Sequence, residues 1–255
     1  MKVIILAAGY ATRLYPLTLE QPKSLLKVGK KKMVEYIISK VEQLRNVDKI
    51  YLVSNDKFYA NFVDWSKGYR SRKPIKVIND GTTSNQDRLG AVGDIRFVIE
   101  QEEIDDDIMV IAGDNLFDFS LVDFYNFFKE KDSCIVAIYD IKDKEKAASK
   151  LGVVQLDEDN KIISFEEKPQ EPKTSLASTA CYIFSKEHIK LLKKCLNESV
   201  ALDNLGDFIR WLIDKKDVYG FVFKEKWFDI GNPEQLEEVS EHYDKKGGLL
   251  HLSNH

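Results

Sequence analysis

Apolar and polar positions divide the chain into short runs of two kinds. Val3-Ile4-Ile5-Leu6-Ala7-Ala8 is continuously apolar and stops at Gly9. So short a β-rich run, bounded by glycine, predicts a strand buried on both faces. Met33 to Leu44 instead sets Val34, Ile37, Ile38, Val41 and Leu44 at helical spacing, and Ile50 to Ser54 returns to a strand pattern. The alternation continues with a strand at Ile75 to Ile78, a helix after Arg88, a strand at Asp107 to Ala112, a helix from Leu121 to Lys129 and a strand at Cys134 to Tyr139. Strands alternating with helices predict an α/β domain with a mostly parallel sheet and right-handed crossovers. The ligand crevice of such a sheet lies at the carboxyl ends of its strands.

Beyond about Lys150 the pattern changes. GVVQLD and KIISFEEKP are short runs joined by Asp157-Glu158-Asp159-Asn160, a hairpin-like turn. A strand at Ala180 to Phe184, helices from Lys186 to Cys195 and from Leu205 to Lys215, and a strand at Val218 to Phe223 follow. A last helix begins near Pro233, where proline suits the first turn, and the tail from Lys245 to His255 is expected to fray. There is no internal repeat, low-complexity segment or interdomain linker. The expected organisation is one domain over residues 1–243 and a frayed tail over 244–255. With 255 residues, 44% of them hydrophobic, the chain can bury a sizeable core.

Charge narrows the choice of partner. The formal net charge is -4 and the pI is near 5.7, so no global basic field collects nucleic acid, and any anion site must be local. Cys134, Cys181 and Cys195 are odd in number and lack CxxC spacing, which favours reduced thiols over a disulfide frame or a zinc site. The apolar N-terminal run is too short for a signal segment or a membrane span. The expectation is a cytoplasmic protein with neither membrane nor nucleic-acid partner.

The candidate chemistry starts where the first strand ends, in AAGYATRLYPLT, residues 7–18. Backbone N–H groups of Gly9 to Thr12 can turn toward an anion. Arg13 adds a planar fork suited to phosphate oxygens, and Lys23, after Pro22, can be aimed back across the same loop. The same residues read equally well as a glycine turn carrying two solvated cations. The GxxxxGK[ST] string and the three-glycine dinucleotide fingerprint are both missing, which argues against the two commonest phosphate-binding loops.

LAAGYATRLYPLTLEQPKSLL resembles the signature loop of the sugar-1-phosphate nucleotidyltransferases, approximately L-A-[AG]-G-x-[GA]-T-R-L-x-P-L-T followed by P-K-x-L-L. The resemblance runs from Lys2 to about Glu238 and is to a glucose-1-phosphate thymidylyltransferase-like catalytic core. It implies a Rossmann-like three-layer sandwich of the nucleotide-diphospho-sugar transferase type, without the C-terminal left-handed β-helix of some larger relatives. It further implies that the loop, with Leu6, Ala7, Ala8, Gly9 and Thr12, wraps the NTP, that Arg13 neutralises the leaving pyrophosphate and that Lys23 contacts phosphates. Ala11 departs from the pattern, since many members have glycine there.

Asp114, in AGDN after DIMVIA, is on its own a turn cap; the resemblance makes it a Mg²⁺ ligand, with Asp229 of WFDIGNP as the second. Gly152 in LGVV and Glu167-Lys168-Pro169 resemble the sugar-phosphate segments. Arg88 and Gly90 fall where relatives read the base, in NDGTTSNQDRLGAVGD, residues 79–94. No glutamine of the kind many thymidylyl and uridylyl members carry precedes them, so this loop either reads a base or merely caps the next helix.

The implied reaction is nucleotidyl transfer from an NTP to a sugar-1-phosphate, glucose-1-phosphate favoured, with Mg²⁺ as cofactor. Two alternatives stand beside it. One is a cytidylyltransferase for phosphocholine or another alcohol phosphate, for which Trp65, Trp211 and Trp227 are available to hold a quaternary amine. The other is a non-catalytic nucleotide-sugar-binding regulatory protein. Family members are often dimers or tetramers, so a homo-oligomer is a further expectation.

Overall fold

The first apolar run becomes β1 (Lys2–Leu6), with Val3, Ile4 and Ile5 wholly buried. Each such side chain contributes roughly 1.5–3 kcal/mol relative to leaving it in water. The computed structural model describes residues 1–197 and 204–252. A short hairpin, β2 (Lys27–Val28) and β3 (Lys31–Lys32), leads to α1 (Met33–Val41), β4 (Lys49–Ser54), α2 (Asp56–Gly68) and β5 (Ile75–Asn79). Then come α3 (Gly90–Gln101), β6 (Ile108–Ala112), β7 (Asn115–Phe117), α4 (Leu121–Lys131) and β8 (Cys134–Asp140). The chain continues through β9 (Val153–Leu156), β10 (Ile162–Glu166), β11 (Leu176–Phe184), α5 (Lys186–Asn197), α6 (Leu205–Leu212), β12 (Val218–Phe223), β13 (Trp227–Asp229) and α7 (Pro233–Leu252).

Among the described residues, nine strands form one mixed sheet. Its centre, β5-β4-β1-β6, is parallel, with Val3 opposite Ile50 on one side and Met109 on the other. Beyond β6 the direction reverses: β11 pairs antiparallel with β6, β8 and β9, while β12 returns parallel to β8. The expected hairpin is present as β9–β10.

Period-two alternation along β1 sends Ile4 to one face and Val3 and Ile5 to the other. Helices α1, α2, α4 and α7 cover the Val3 face, and α3, α5 and α6 cover the Ile4 face. The result is the expected three-layer α/β sandwich.

Three elements differ from the sequence expectation. The first strand stops at Leu6 rather than Ala8, because Ala7 and Ala8 already turn into the loop. Helix α2 falls in a stretch to which the sequence pattern assigns no element; Phe58, Phe62 and Trp65 carry its buried face, and Asn55 caps it by accepting from Phe58 N at 3.0 Å. Helix α7 takes in much of the stretch expected to fray, up to Leu252. All three cysteines are buried and none is in a disulfide.

Candidate active site

Of the candidate site residues, all except Lys168 line a chain of adjoining cavities at the carboxyl end of β1. One cavity of about 270 Å³ is bounded by Thr12, Arg13, Lys23, Asp114 and Asp229. A smaller one, about 160 Å³, adjoins it through Lys23 and Asp114 and is lined by Leu6, Ala7 and Gly9. A third, about 250 Å³, holds Ala8, Gly9, Arg88 and Gly90. A fourth, about 290 Å³, holds Gly152 and Glu167 and shares Asp114 and Asp229.

Ala7 N donates to Val53 O at 2.9 Å, and Asn55 Nδ2 donates to Ala8 O at 2.7 Å, so the loop leaves the sheet in a fixed direction. The left-handed position of the turn is Ala11, φ 47 and ψ 43, and not Gly9. An L-residue there costs about 1–2 kcal/mol. Two donors hold it: Thr18 Oγ1 and Leu14 N both reach Ala11 O, at 2.8 and 3.0 Å. A left-handed residue followed by the right-handed turn Thr12–Leu14 is the alternation from which N–H nests are built. Gly9 lines two of the cavities, and a Cβ there would meet nothing within 4 Å, so space does not demand glycine at this position.

Pro22 is extended and feeds a tight turn, Lys23–Leu25. From it Lys23 Nζ reaches Asp114 Oδ2 at 2.7 Å. Asp114 stands between β6 and β7, and Gly113 N donates to Leu6 O at 2.7 Å. A Cβ on Gly113 would lie 2.7 Å from Ser24 Oγ and 2.8 Å from Leu6 O, so only glycine lets the two loops close together.

Asp229 ends β13, which pairs antiparallel with β7 so that Asp229 stands opposite Asn115. Asn115 pins this small sheet: its amide donates to Thr179 O and accepts from Trp227 Nε1 at 2.5 Å. Shielding by surrounding protein pushes the Asp229 pKa up, and the Asp114 carboxylate pushes it further. The charges of Lys23, Arg13 and Lys168 pull it down. Four charged groups, Asp114, Lys23, Arg13 and Lys168, therefore act on Asp229.

In the fourth cavity, Glu167 is largely buried and its pKa is raised by that burial. Gly152 makes room for it: a Cβ there would lie 2.8 Å from Phe165 Cζ and 3.0 Å from Glu167 Oε2. Gly206, which sequence reasoning passed over, is tighter still, at 2.1 Å from Glu167 Oε2. Lys168 takes a left-handed backbone, φ 46, and its ammonium stays 3.6 Å from Glu167 Oε1 with a mostly exposed side chain. Of the tryptophans, Trp227 lines this cavity beside Phe165 and Tyr182. Trp65 is instead bonded to Glu35 in the core, and Trp211 stacks on Phe208.

Two carboxylates with a shared repulsion suit Mg²⁺, which is commonly held by one or two carboxylates plus substrate phosphates. No group of three or more His, Cys, Asp or Glu side chains fit for a metal occurs among the described residues. No helix among them is long and apolar enough to cross a membrane.

Comparison with known proteins matches residues 2–246 to a family model described as nucleotidyl transferase. The bifunctional protein GlmU of Methanocaldococcus jannaschii is 31% identical over 242 residues, covering 95% of this chain and 54% of the relative. A glucose-1-phosphate adenylyltransferase of Clostridium novyi is 30% identical over 259 residues, covering 94% and 66%. The chain thus spans between about half and two thirds of the length of these relatives. Among solved structures, a UDP-glucose pyrophosphorylase complexed with UDP-glucose superposes with a TM-score of 0.77, at 22% identity over 96% of this chain and 98% of that one. The likeness to that structure is one of fold.

Proposed function

Since the chain belongs to the nucleotidyl transferase family, we propose that it transfers a nucleotidyl group from an NTP to a sugar-1-phosphate, with glucose-1-phosphate as the favoured acceptor. A phosphate oxygen of the acceptor attacks the α-phosphorus in line, the bond to the bridging α–β oxygen breaks, and pyrophosphate leaves with that electron pair. The nucleophile is already an anion, so the protein needs no general base. Its work is positioning and charge neutralisation.

The observation that carries this reading is the meeting of Lys23, Asp114 and Asp229 at one cavity with Arg13 on its rim. Arg13 stabilises charge developing on pyrophosphate, and Lys23 and Lys168 hold the two reacting phosphates. Leu6, Ala7, Ala8, Gly9 and Thr12 carry the nucleotide, with Arg88 and Gly90 on the base side, and Gly152 and Glu167 shape the acceptor side. Asp114 and Asp229 are the residues that would hold Mg²⁺, which supplies charge neutralisation at the phosphates. A cytoplasmic location and a homo-oligomer go with this reading.

One observation favours a second acceptor class. Phe165, Tyr182 and Trp227 line the acceptor cavity together with Glu167, the aromatic and acidic surfaces that attract a quaternary amine. Pyrophosphate release from four NTPs and dTTP against several sugar-1-phosphates and phosphocholine separates the two. Arg13→Ala and Asp114→Asn, each folded, should release essentially none. Wild-type release from both would overturn transfer, as would nucleotide-sugar binding without any turnover by the wild type, the behaviour of a regulatory protein.

A further inference from the structure

Lys23 places a cation on the carboxylate that the proposed reaction needs for a divalent ion. Its Nζ lies 2.7 Å from Asp114 Oδ2, and it is the one ion-pair partner of Asp114 among the described residues. The Asp114 side chain is 39% exposed, so the carboxylate is open to the cavity, whereas Lys23, at 12%, reaches it from inside the turn. The same ammonium acts on the second carboxylate. Burial and Asp114 raise the Asp229 pKa, and of the cations that offset them Lys23 acts most strongly. The formal charges lining the 270 Å³ cavity therefore cancel, with Asp114 and Asp229 set against Arg13 and Lys23.

Lys23 also has a second place to go. It lines the 160 Å³ cavity with Gly9 and Ala11, and the 270 Å³ cavity with Thr12 and Arg13, the loop whose backbone can turn toward phosphates. Its own backbone is held, since Leu25 N donates to Pro22 O at 3.0 Å and Leu26 N to Lys23 O at 2.9 Å. What is left to move is a flexible four-carbon stem carrying a point charge with three donors. Both destinations lie within one chain of cavities, so the exchange needs no shift of the turn.

We propose that Lys23 is an exchangeable cation, which holds Asp114 until the phosphates of a nucleotide arrive and then passes to them, so that Asp114 takes a divalent ion only together with a nucleotide. The charges decide this. An ion arriving alone adds two positive charges to a neutral set and strips the ammonium from its carboxylate, and like charges at such short range repel strongly. A nucleotide brings its own negative charges, and Lys23 and the ion then each have an anionic partner. Lys23 thus sets the order in which the site fills as well as contacting phosphate.

This proposal rests on the nucleotidyl-transfer reading for its nucleotide and its ion, and its test reads binding, not turnover. Mn²⁺, which suits the same oxygen ligands as Mg²⁺, is titrated into the whole chain without acceptor, its free fraction followed by electron paramagnetic resonance. Without nucleotide, Lys23→Met should bind Mn²⁺ at least tenfold more tightly than the wild type, and Lys23→Arg should stay within threefold of it. With ATP, GTP, CTP, UTP or dTTP the sign should reverse: for any nucleotide that the wild type binds, Lys23→Met should bind the Mn²⁺ complex at least fivefold more weakly. Lys23→Gln is the second neutral variant if Lys23→Met does not fold. A purely structural pair would move both affinities in one direction. A neutral variant that weakens both, strengthens both or changes neither overturns the exchange, as does a Lys23→Arg that behaves like Lys23→Met, or a wild type that binds no nucleotide. If the sign reverses yet no acceptor yields pyrophosphate, transfer fails and the exchange stands. If pyrophosphate is released without a reversal, the exchange fails and transfer stands.

Discussion

Lys23 Nζ lies 2.7 Å from Asp114 Oδ2, across 91 positions of sequence. The contact joins the loop after β1 to the turn after β6, the two strands that flank the crevice. In the proposed reaction, Lys23 would thereby set the charge that phosphates and a divalent ion meet there. Lys23→Met should lower turnover on the order of 10²–10³-fold, as for the loss of one electrostatic donor to a transition state. Stability should change little, because Asp114 is substantially exposed and such pairs contribute under about 1 kcal/mol. Pyrophosphate release and a thermal melt check both; a large fall in melting temperature with turnover kept would make Lys23 merely structural.

How much of this was legible follows from what each residue answers to. The strands and helices around β1 follow local periodicity, so they appear in the sequence. Helix α2 escaped although Asn55, Phe58, Phe62 and Trp65 carry its cap and buried face, because polar residues fill the rest of its surface. Of the candidate charged residues, Arg13 and Lys23 were legible through the signature loop, and Asp114, Asp229, Glu167 and Lys168 through the separate motifs AGDN, WFDIGNP and EEKP. Asn115, Gly113 and Gly206 were not, since what demands them lies far off in sequence: Thr179 and Trp227, Leu6 and Ser24, and Glu167. The bulge in β11, with Ala180 at φ 53 between Ser178 and Tyr182, likewise answers to pairing on both sides and leaves no local mark.

Gly206→Ala should damage the acceptor side selectively. A methyl 2.1 Å from Glu167 Oε2 and 2.7 Å from Phe165 Cε1 forces the buried carboxylate to move. The expected outcome is a KM for the sugar-phosphate raised tenfold or more, with NTP affinity unchanged in titration. Equal loss on both substrates would indicate global distortion instead.

Asp229 gives the reaction an acid limb. Its folded pKa is raised from 3.8 by burial and by Asp114, so the ionised form that the proposed metal role needs is lost at a higher pH than for an ordinary aspartate. Mg²⁺ favours the ionised form, so raising its concentration should move that limb to lower pH. Profiles of kcat/KM against pH at low and saturating Mg²⁺ test this. Coincident limbs would remove Asp229 from the metal site.

Ala11→Gly should relieve the loop. The left-handed backbone at φ 47 costs alanine about 1–2 kcal/mol, whereas glycine's greater unfolded freedom costs about 0.5–1 kcal/mol. The net expectation is a gain of up to about 1 kcal/mol, read as a small rise in melting temperature with turnover maintained. A clear loss of stability would mean that the alanine methyl packs favourably enough to outweigh the backbone strain.

Asp94 links folding to pH with a definite sign. Its carboxyl is raised from 3.8 to about 8 by burial and by Asp80, so between those values the folded chain holds a proton that the unfolded chain has released. Its contribution is fully present below 3.8 and is lost as pH rises toward about 8. Asp94→Asn cannot ionise, so the variant should gain on the wild type steadily across that window, and the difference in melting temperature between them should grow with pH and level off above it. A difference that stays flat would mean that Asp94 is ionised in the folded chain.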